Sequence, residues 1–176
     1  MVSQLTRDRP ATDMAKKSAG GTPATVALTR AGIAFTSHPY EHDPRATSYG
    51  TEAATALGLP AAQVFKTLLA RVDGALVVAV VPVTGQLDLK ALAAALGGSK
   101  ATMAEPADAE RATGYVVGGI APVGQKRPHP TVVDESALAH DVVYVSGGRR
   151  GLDLGLAPSD LVRVTGASTA RIARRT

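Results

Sequence analysis

Residues 64–81, VFKTLLARVDGALVVAVV, contain the strongest secondary-structure signal of the chain. This stretch contains two runs of aliphatic and β-branched residues, 64–72 and 75–81, on either side of Asp73-Gly74. An Asp-Gly pair between two such runs is a strong signal for a β-hairpin, because both residues accept the positive φ angles of a tight turn. The stretch therefore predicts a central antiparallel hairpin.

Helix signals lie on both sides of this hairpin. Thr22 is placed to cap a helix that begins at Pro23 and stops before Gly32, and a second helix is predicted over residues 51–57, ending at Gly58. Three further short helices are predicted to begin after the capping or opening positions Asp88, Glu105 and Pro158. The helical elements are all short.

Other segments predict strands and loops. Strands are expected over residues 33–36, 131–133, 142–145 and 152–154, and the polar segment 38–44, which contains two prolines, is expected to be a loop. No repeat or internal linker is visible. The mixture predicts an α+β fold, with residues 22–176 as one domain and the polar, charged residues 1–21 as a flexible extension.

The composition excludes several classes of protein. The chain has no cysteine, which rules out a disulfide scaffold, a thiolate zinc site and a cysteine nucleophile. Only 3% of its residues are aromatic, so platforms for stacking bases are scarce. The sequence starts without an uninterrupted apolar signal segment, and no run approaches about 20 apolar residues. We therefore expect a cytoplasmic protein.

The net charge of +4 is concentrated at the two ends of the chain. Residues 1–21 carry +2, residues 163–176 carry +4, and the residues between them carry −2. Basic ends add salt-sensitive attraction to RNA phosphates, but the body of the protein is too balanced for a general phosphate-coating surface. Any recognition of RNA should be local.

Lys66 is the unusual residue of the hairpin. Alternation along a strand places it on the same face as the apolar residues Val64, Leu68 and Ala70. A desolvated ammonium is costly unless a carboxylate, a phosphate or a polarised carbonyl receives it, which would indicate a cleft at this point. The alternative is a lysine near the strand end whose ammonium reaches water.

Two glycine-rich segments, 114–124 and 146–153, can bring backbone N–H groups close to an anion. Basic residues accompany them: Lys126 and Arg127 lie just after the first segment, and Arg149 and Arg150 lie among the glycines of the second. Ordinary tight turns are the alternative. Neither segment matches a P-loop or a dinucleotide fingerprint, and Ser146 lacks the preceding glycine of a nucleophile elbow, which argues against nucleotide hydrolysis and serine-triad chemistry.

The histidines do not predict a metal site. His38 and His42 have the spacing that brings two imidazoles together on a helix, but Pro39 between them argues against that helix. His129 and His140 fall in predicted loops. We expect no metal and no cofactor.

Several motifs together resemble the YbaK family of Cys-tRNA(Pro) deacylases. They occur in the family's order at residues 22–24, 40–44, 64–69, 81–90, 103–106, 113–120 and 146–153. The resemblance spans about residues 22–175. It implies the fold of the editing domain of bacterial prolyl-tRNA synthetases, a curved, barrel-like mixed β-sheet flanked by short helices.

The resemblance also implies a function. Prolyl-tRNA synthetase cannot sterically refuse cysteine, so a second site must hydrolyse the ester of mischarged Cys-tRNA(Pro). The expected partners are the 3′ acceptor end of the tRNA and prolyl-tRNA synthetase in a ternary complex, with no membrane and no metal. Two alternatives stay open: a deacylase for another small group, such as Ala-tRNA(Pro), and a non-catalytic module that binds tRNA or the synthetase.

The family's site residues map onto this sequence. The implied catalytic residues are Lys66 and the loop residues Gly118, Gly119, Ile120 and Ala121. The implied substrate-binding residues are Tyr40, Tyr49, Asp153, Ser146 and Gly147. The family mechanism is substrate-assisted: the cysteinyl thiol attacks its own ester carbonyl in a lyase-like release, or water attacks under the guidance of a terminal ribose hydroxyl.

Overall fold

The computed structural model describes residues 21–175, so the predicted extension, apart from Gly21, lies outside the described residues. The helices are α1 (Pro23–Arg30), α2 (Tyr49–Leu57), α3 (Leu89–Ala95), α4 (Pro106–Thr113) and α5 (Pro158–Thr165). The strands are β1 (Thr36–Pro39), β2 (Phe65–Val72), β3 (Ala75–Pro82), β4 (Gly85–Leu87), β5 (Ala101–Met103), β6 (Thr131–Asp134), β7 (Val143–Ser146), β8 (Leu152–Leu156), β9 (Ser168–Ala170) and β10 (Ala173–Arg175). No helix in this range is long and apolar enough to cross a membrane.

The strands form three sheets. A mixed five-stranded sheet has the order β5-β2-β3-β6-β9, with the β3–β6 and β6–β9 pairs parallel. An antiparallel three-stranded sheet has the order β1-β8-β7, and β10 pairs with β4. A parallel bridge between Val64 and Tyr144 joins the two larger sheets beside the start of β2. The α+β class and the mixed sheet are confirmed.

The predicted hairpin is the centre of the larger sheet. Strands β2 and β3 pair without interruption from Phe65 opposite Pro82 to Val72 opposite Ala75. The turn residues Asp73 and Gly74 have φ angles of 50° and 89°, the left-handed values that a tight hairpin turn requires. The prediction of the hairpin and of its turn is therefore confirmed.

The hairpin buries both of its faces. One face carries Phe65 and Leu69 into a cluster with α1 and β8, and the opposite face carries Ala70 and Val72 into a cluster with α3 and Ile172. Burying a large aliphatic side chain contributes roughly 1.5–3 kcal/mol. With apolar packing on both faces, β2 is held firmly enough to fix the position of the residues at its start.

Several predicted boundaries are wrong, and two of them lie in the segment that leads to the site. Helix α2 begins at Tyr49 rather than at residue 51, because Ser48 is its N-cap and accepts a hydrogen bond from the Thr51 amide at 3.4 Å. The first strand covers Thr36–Pro39 rather than residues 33–36, so His38 and Pro39 are not in a loop. These residues form a strand because they pair with β8. Pro39 is tolerated in it because β1 is an edge strand.

Candidate active site

A cavity of about 360 Å³ lies beside the start of β2. Its walls come from strands β2, β7 and β8, from the segment between β1 and α2, and from the loop after α4. Seven of the residues predicted for the site line it: Tyr40, Tyr49, Lys66, Gly118, Ile120, Ser146 and Asp153. Residues separated by up to 113 positions in sequence thus share one cavity, as Tyr40 and Asp153 show.

Strand register explains why three polar side chains meet there. Ser146 on β7 lies directly opposite Asp153 on β8. Val64 bridges Tyr144 in the parallel direction, so Lys66, two residues further along, reaches the level of Ser146. Side chains two residues apart in a strand share a face. The register therefore forms a polar row from β2 across β7 to β8.

Asp153 is buried at 5% exposure, and no ion pair or side-chain hydrogen bond to it occurs within residues 21–175. Burial raises its pKa to about 7, because a desolvated carboxylate is unfavourable without a partner. Neighbouring Leu152 and Leu154 point into the core. The carboxyl group is thus held at the cavity by a rigid strand, ready to receive a cation or a hydrogen-bond donor.

Tyr40 follows the edge strand β1 and is fixed by its backbone, since its amide donates to the Gly151 carbonyl at 2.9 Å. Gly151 has a φ of +84°, and a Cβ at that position would come within 2.7 Å of the Tyr40 carbonyl. Burial, and then the charge of Asp153, raise the pKa of Tyr40 to about 12. At neutral pH its phenol is therefore a hydrogen-bond donor at the cavity wall.

Lys66 is half-buried at the cavity wall, and no carboxylate in the described part of the chain pairs with it. Burial lowers its pKa, because desolvation penalises the ammonium. The cleft predicted at this lysine is present. An anionic or carbonyl oxygen that enters the cavity would supply the partner that the protein does not.

The loop after α4 contributes backbone donors. The amides of Gly118 and Ile120 make no hydrogen bond within residues 21–175, and both residues line the cavity. Gly118 has a φ of +88°, and a Cβ there would lie 2.7 Å from the Tyr49 ring. Only glycine allows the loop to lie this close to Tyr49 and keep both amides near the cavity.

Three residues of the implied site do not line the cavity. The Gly119 amide already donates to the Val116 carbonyl at 2.8 Å, and Ala121 is fully buried in the core. Gly147 instead makes two structural hydrogen bonds. Its amide donates to the Leu152 carbonyl at 2.8 Å, and its carbonyl accepts from the Thr22 hydroxyl at 2.6 Å. Among the described residues of this loop that line the cavity, the backbone donors available to a ligand are thus Gly118 and Ile120.

Arg150, between β7 and β8, contacts both the loop after α4 and the first residue of α2. Its Nε donates to the Val117 carbonyl at 2.9 Å, and its guanidinium lies 5.0 Å from the centre of the Tyr49 ring. The sequence placed Arg150 beside a glycine-rich segment but did not assign it this contact. A stacked guanidinium with a backbone hydrogen bond holds Tyr49 against the Gly118 loop.

The histidines that raised the question of a metal site have separate roles. His38 hydrogen-bonds the Thr36 hydroxyl at 2.7 Å, whereas His42 Nδ1 pairs with Glu52 at 2.8 Å. Glu52 also accepts from the Asp43 amide at 2.7 Å, so it ties the segment before α2 to that helix. Among residues 21–175, no three histidine or acidic side chains are grouped as metal ligands.

Thr67 is a cavity residue that sequence reasoning did not select. Its hydroxyl is buried and has no hydrogen-bond partner in the described part of the chain. A buried hydroxyl without a partner is costly, which makes Thr67 a candidate contact for a ligand. Strand alternation gave no reason to choose it, because it lies on the opposite face from Lys66.

Comparison with known proteins gives concordant matches. A sequence model of the aminoacyl-tRNA editing domain matches residues 42–164. The chain is 40% identical over 121 residues to a protein of Enterococcus faecalis named as a candidate Cys-tRNA(Pro)/Cys-tRNA(Cys) deacylase, EbsC, covering 68% of this chain and 73% of that protein.

Two solved structures have the same fold. A candidate trans-editing enzyme for prolyl-tRNA synthetase superposes with a TM-score of 0.78 at 27% identity, covering 89% of this chain and 97% of that one. The hypothetical protein APE2540 gives a TM-score of 0.77 at 27% identity, covering 86% of this chain and 99% of that one. The similarity therefore extends over nearly the whole domain.

Proposed function

The chain belongs to the aminoacyl-tRNA editing domain family, and we propose that it is a trans-editing deacylase that hydrolyses the ester of mischarged Cys-tRNA(Pro). One observation carries the proposal: a single small cavity is lined by an ammonium and two backbone amides that have no partner within residues 21–175, together with a buried carboxyl group. The relative from Enterococcus faecalis is named for the same substrate.

Each group has a role in binding the ester. The amides of Gly118 and Ile120 receive the oxygen of the ester carbonyl, whose negative charge grows as the carbonyl carbon is attacked. Lys66 orients the 3′ end or the same carbonyl. Asp153 accepts from the α-ammonium of the aminoacyl group, and the Tyr40 phenol donates a hydrogen bond to the substrate. A charged donor next to Asp153 repays the desolvation of its carboxylate.

Substrate-assisted cleavage fits a site without a conventional nucleophile. In the thiol route, the cysteinyl sulfur bonds to the ester carbonyl carbon, the bond from that carbon to the ribose oxygen breaks, and the ribose oxygen leaves with the proton of the thiol. Water then opens the strained thiolactone. In the competing route, water attacks the carbonyl directly while a terminal ribose hydroxyl guides it. Both routes are accelerated by holding the reacting atoms in place and by stabilising the oxyanion.

Cavity size limits what this protein can recognise alone. About 360 Å³ is near the lower end for ligand sites, roughly 300–1,000 Å³, and suits a small aminoacyl group rather than a tRNA body. Choice of the tRNA then needs a partner. We place the reaction in the cytoplasm, in a ternary complex of this protein, the tRNA and prolyl-tRNA synthetase.

Deacylation of a panel of charged tRNAs tests the proposal. The wild-type protein should release cysteine from Cys-tRNA(Pro) faster than alanine from Ala-tRNA(Pro), and should leave Pro-tRNA(Pro) intact. Faster release of alanine would make the protein an alanyl deacylase, and no release in single turnover would make it a binding module. Release of serine from Ser-tRNA(Pro) at the cysteine rate would exclude the thiol route.

Lys66→Ala tests the role of the ammonium, with Lys90→Ala as the matched control because Lys90 is exposed on α3, away from the cavity. We expect Lys66→Ala to lower the single-turnover rate by about 10²-fold or more and Lys90→Ala to leave it unchanged. Equal rates for Lys66→Ala and the wild type would remove Lys66 from catalysis.

A further inference from the structure

An open second cavity of about 850 Å³ lies beside strand β10. Its lining includes three arginines, Arg171, Arg174 and Arg175, together with His140 and Thr84. None of its lining residues lines the first cavity. We call it the arginine groove; it is a separate site that the proposed deacylation chemistry does not use.

A buried carboxylate fixes the backbone that carries these arginines. Asp134 Oδ1 accepts hydrogen bonds from the amides of Ile172 and Ala173 at 2.8 and 2.9 Å, and Asp134 Oδ2 accepts from the Ser136 hydroxyl at 2.6 Å. Ile172 is fully buried. The backbone at the groove is therefore anchored, while the exposed arginine side chains can adapt to a ligand.

The charge of the groove favours an anion. All three arginines are exposed and form no ion pair within residues 21–175. Two acidic residues line the groove, but the carboxylate of Asp134 is committed to backbone amides, which leaves exposed Glu135 as the only acid facing the three cations among the described lining residues. Arginine binds phosphate through two parallel hydrogen bonds.

The spacing of the arginines fits a chain of phosphates better than a single one. At about 3.3 Å per extended residue, the segment from Arg171 to Arg175 spans up to roughly 13 Å. Three cations spread along a segment of this length offer separate positions, so they suit several neighbouring phosphates of one strand. A single phosphate would need convergent side chains instead.

Position connects the groove to the first cavity. Gly50 and Val64 line the first cavity, and Thr84 lines the groove. Val83 lies between them: its amide donates to the Val64 carbonyl at 2.9 Å, and a Cβ on Gly50 would meet its side chain. Val83 therefore adjoins a residue of each lining, and a strand whose 3′ end enters the first cavity has the groove on this side of it.

From these observations we propose that the arginine groove binds the phosphodiester backbone of the tRNA acceptor arm, just upstream of the aminoacylated nucleotide. The proposal rests on the proposed function, because it takes the 3′ end to lie in the first cavity. It assigns part of the affinity for tRNA to β10 and the residues beside it rather than to the cavity that holds the ester.

Binding of uncharged tRNA(Pro) tests the groove without requiring catalysis. We compare the wild type with the double variant Arg171→Gln/Arg174→Gln, the charge-conserving variant Arg171→Lys/Arg174→Lys and the control Arg30→Gln, which is exposed at the end of α1 and lines neither cavity. Far-UV circular dichroism checks that each variant is folded.

The glutamine variant should raise the Kd about tenfold at about 0.1 M salt, and should lower the slope of log K against log salt by about 1 for each phosphate that it no longer neutralises. The lysine variant and Arg30→Gln should bind within about threefold of the wild type. A wild-type Kd and salt slope in the glutamine variant would overturn the assignment.

The two proposals fail in different ways. If the wild type cleaves no charged tRNA but the glutamine variant still binds tRNA more weakly, the deacylase proposal fails and the groove stands. If cleavage is normal and the glutamine variant binds tRNA as the wild type does, only the groove fails. If the glutamine variant binds tRNA as the wild type does but no longer binds prolyl-tRNA synthetase, the groove binds an acidic protein surface and its assignment to RNA is overturned.

Discussion

Asp153→Asn should remove a pH-dependent loss of stability that the buried carboxyl group of Asp153 causes in the wild-type protein. Burial raises the pKa of Asp153 from 3.8 to about 7. At a pH below both values the carboxyl is protonated in the folded and the unfolded chain, so it has no differential effect. Between the two pKa values, the carboxyl group is ionised in the unfolded chain but still protonated in the folded chain. The free energy of unfolding therefore falls as the pH rises through this range.

The size of this effect follows from the pKa. A difference from 3.8 to about 7 corresponds to roughly 4 kcal/mol once the pH exceeds both values, at about 1.4 kcal/mol per pKa unit. Between about pH 5 and pH 8 the wild type should lose about 2–3 kcal/mol that the asparagine variant keeps. Any fixed cost or gain of the amide cancels in this comparison.

Urea unfolding followed by far-UV circular dichroism is the appropriate assay, because the chain has no tryptophan. The free energy of unfolding is measured at about pH 5 and about pH 8 for the wild type, Asp153→Asn and the control Asp141→Asn, which changes an exposed aspartate before β7. The control should follow the wild type. Equal pH dependence in the wild type and Asp153→Asn would refute the account of a desolvated carboxyl group.

Three further changes test the scaffold. Gly118→Ala places a Cβ at a φ of +88° and 2.7 Å from the Tyr49 ring, so it should lower the free energy of unfolding by about 1–3 kcal/mol and slow deacylation. Unchanged single-turnover rates would contradict the role given to this loop. Asp134→Ala leaves the amides of Ile172 and Ala173 without their acceptor. It should lower the free energy of unfolding, measured in urea, by about 2–4 kcal/mol, and a smaller loss would mean that water replaces the carboxylate. Glu52→Gln weakens the pairing with His42 and should speed amide hydrogen exchange over residues 40–48, which an unchanged exchange pattern would disprove.

Local sequence signals were sufficient where one short segment determines its own structure. The hairpin needed only two apolar runs and Asp73-Gly74, and the caps at Thr22 and Asp88 are observed as predicted. The local signals failed where pairing with a strand distant in sequence determines the structure of a segment. The first strand was predicted over residues 33–36, but pairing with β8 places it at Thr36–Pro39, where the polar residues and the proline had indicated a loop.

Three-residue strands were missed for the same reason. Strands β4, β5, β9 and β10 are too short to show alternation, and each is defined by the partner whose amides and carbonyls it satisfies. The groove arginines illustrate the consequence. Their basic character is visible in the sequence, but their place beside β4 and close to the first cavity depends on pairing between Arg174 and Gln86.

Residue types, local spacing and ordered motifs were enough to predict the class of fold, the central hairpin and the family, and to propose a set of site residues. Which of those residues share a cavity depends on how the strands and loops pack together. The tertiary structure placed Lys66, Ser146 and Asp153 in one row through the register of three strands, and it committed the Gly119 amide to a turn. Register and hydrogen-bond partners are long-range properties, set when distant segments pack against each other, so no local pattern can contain them.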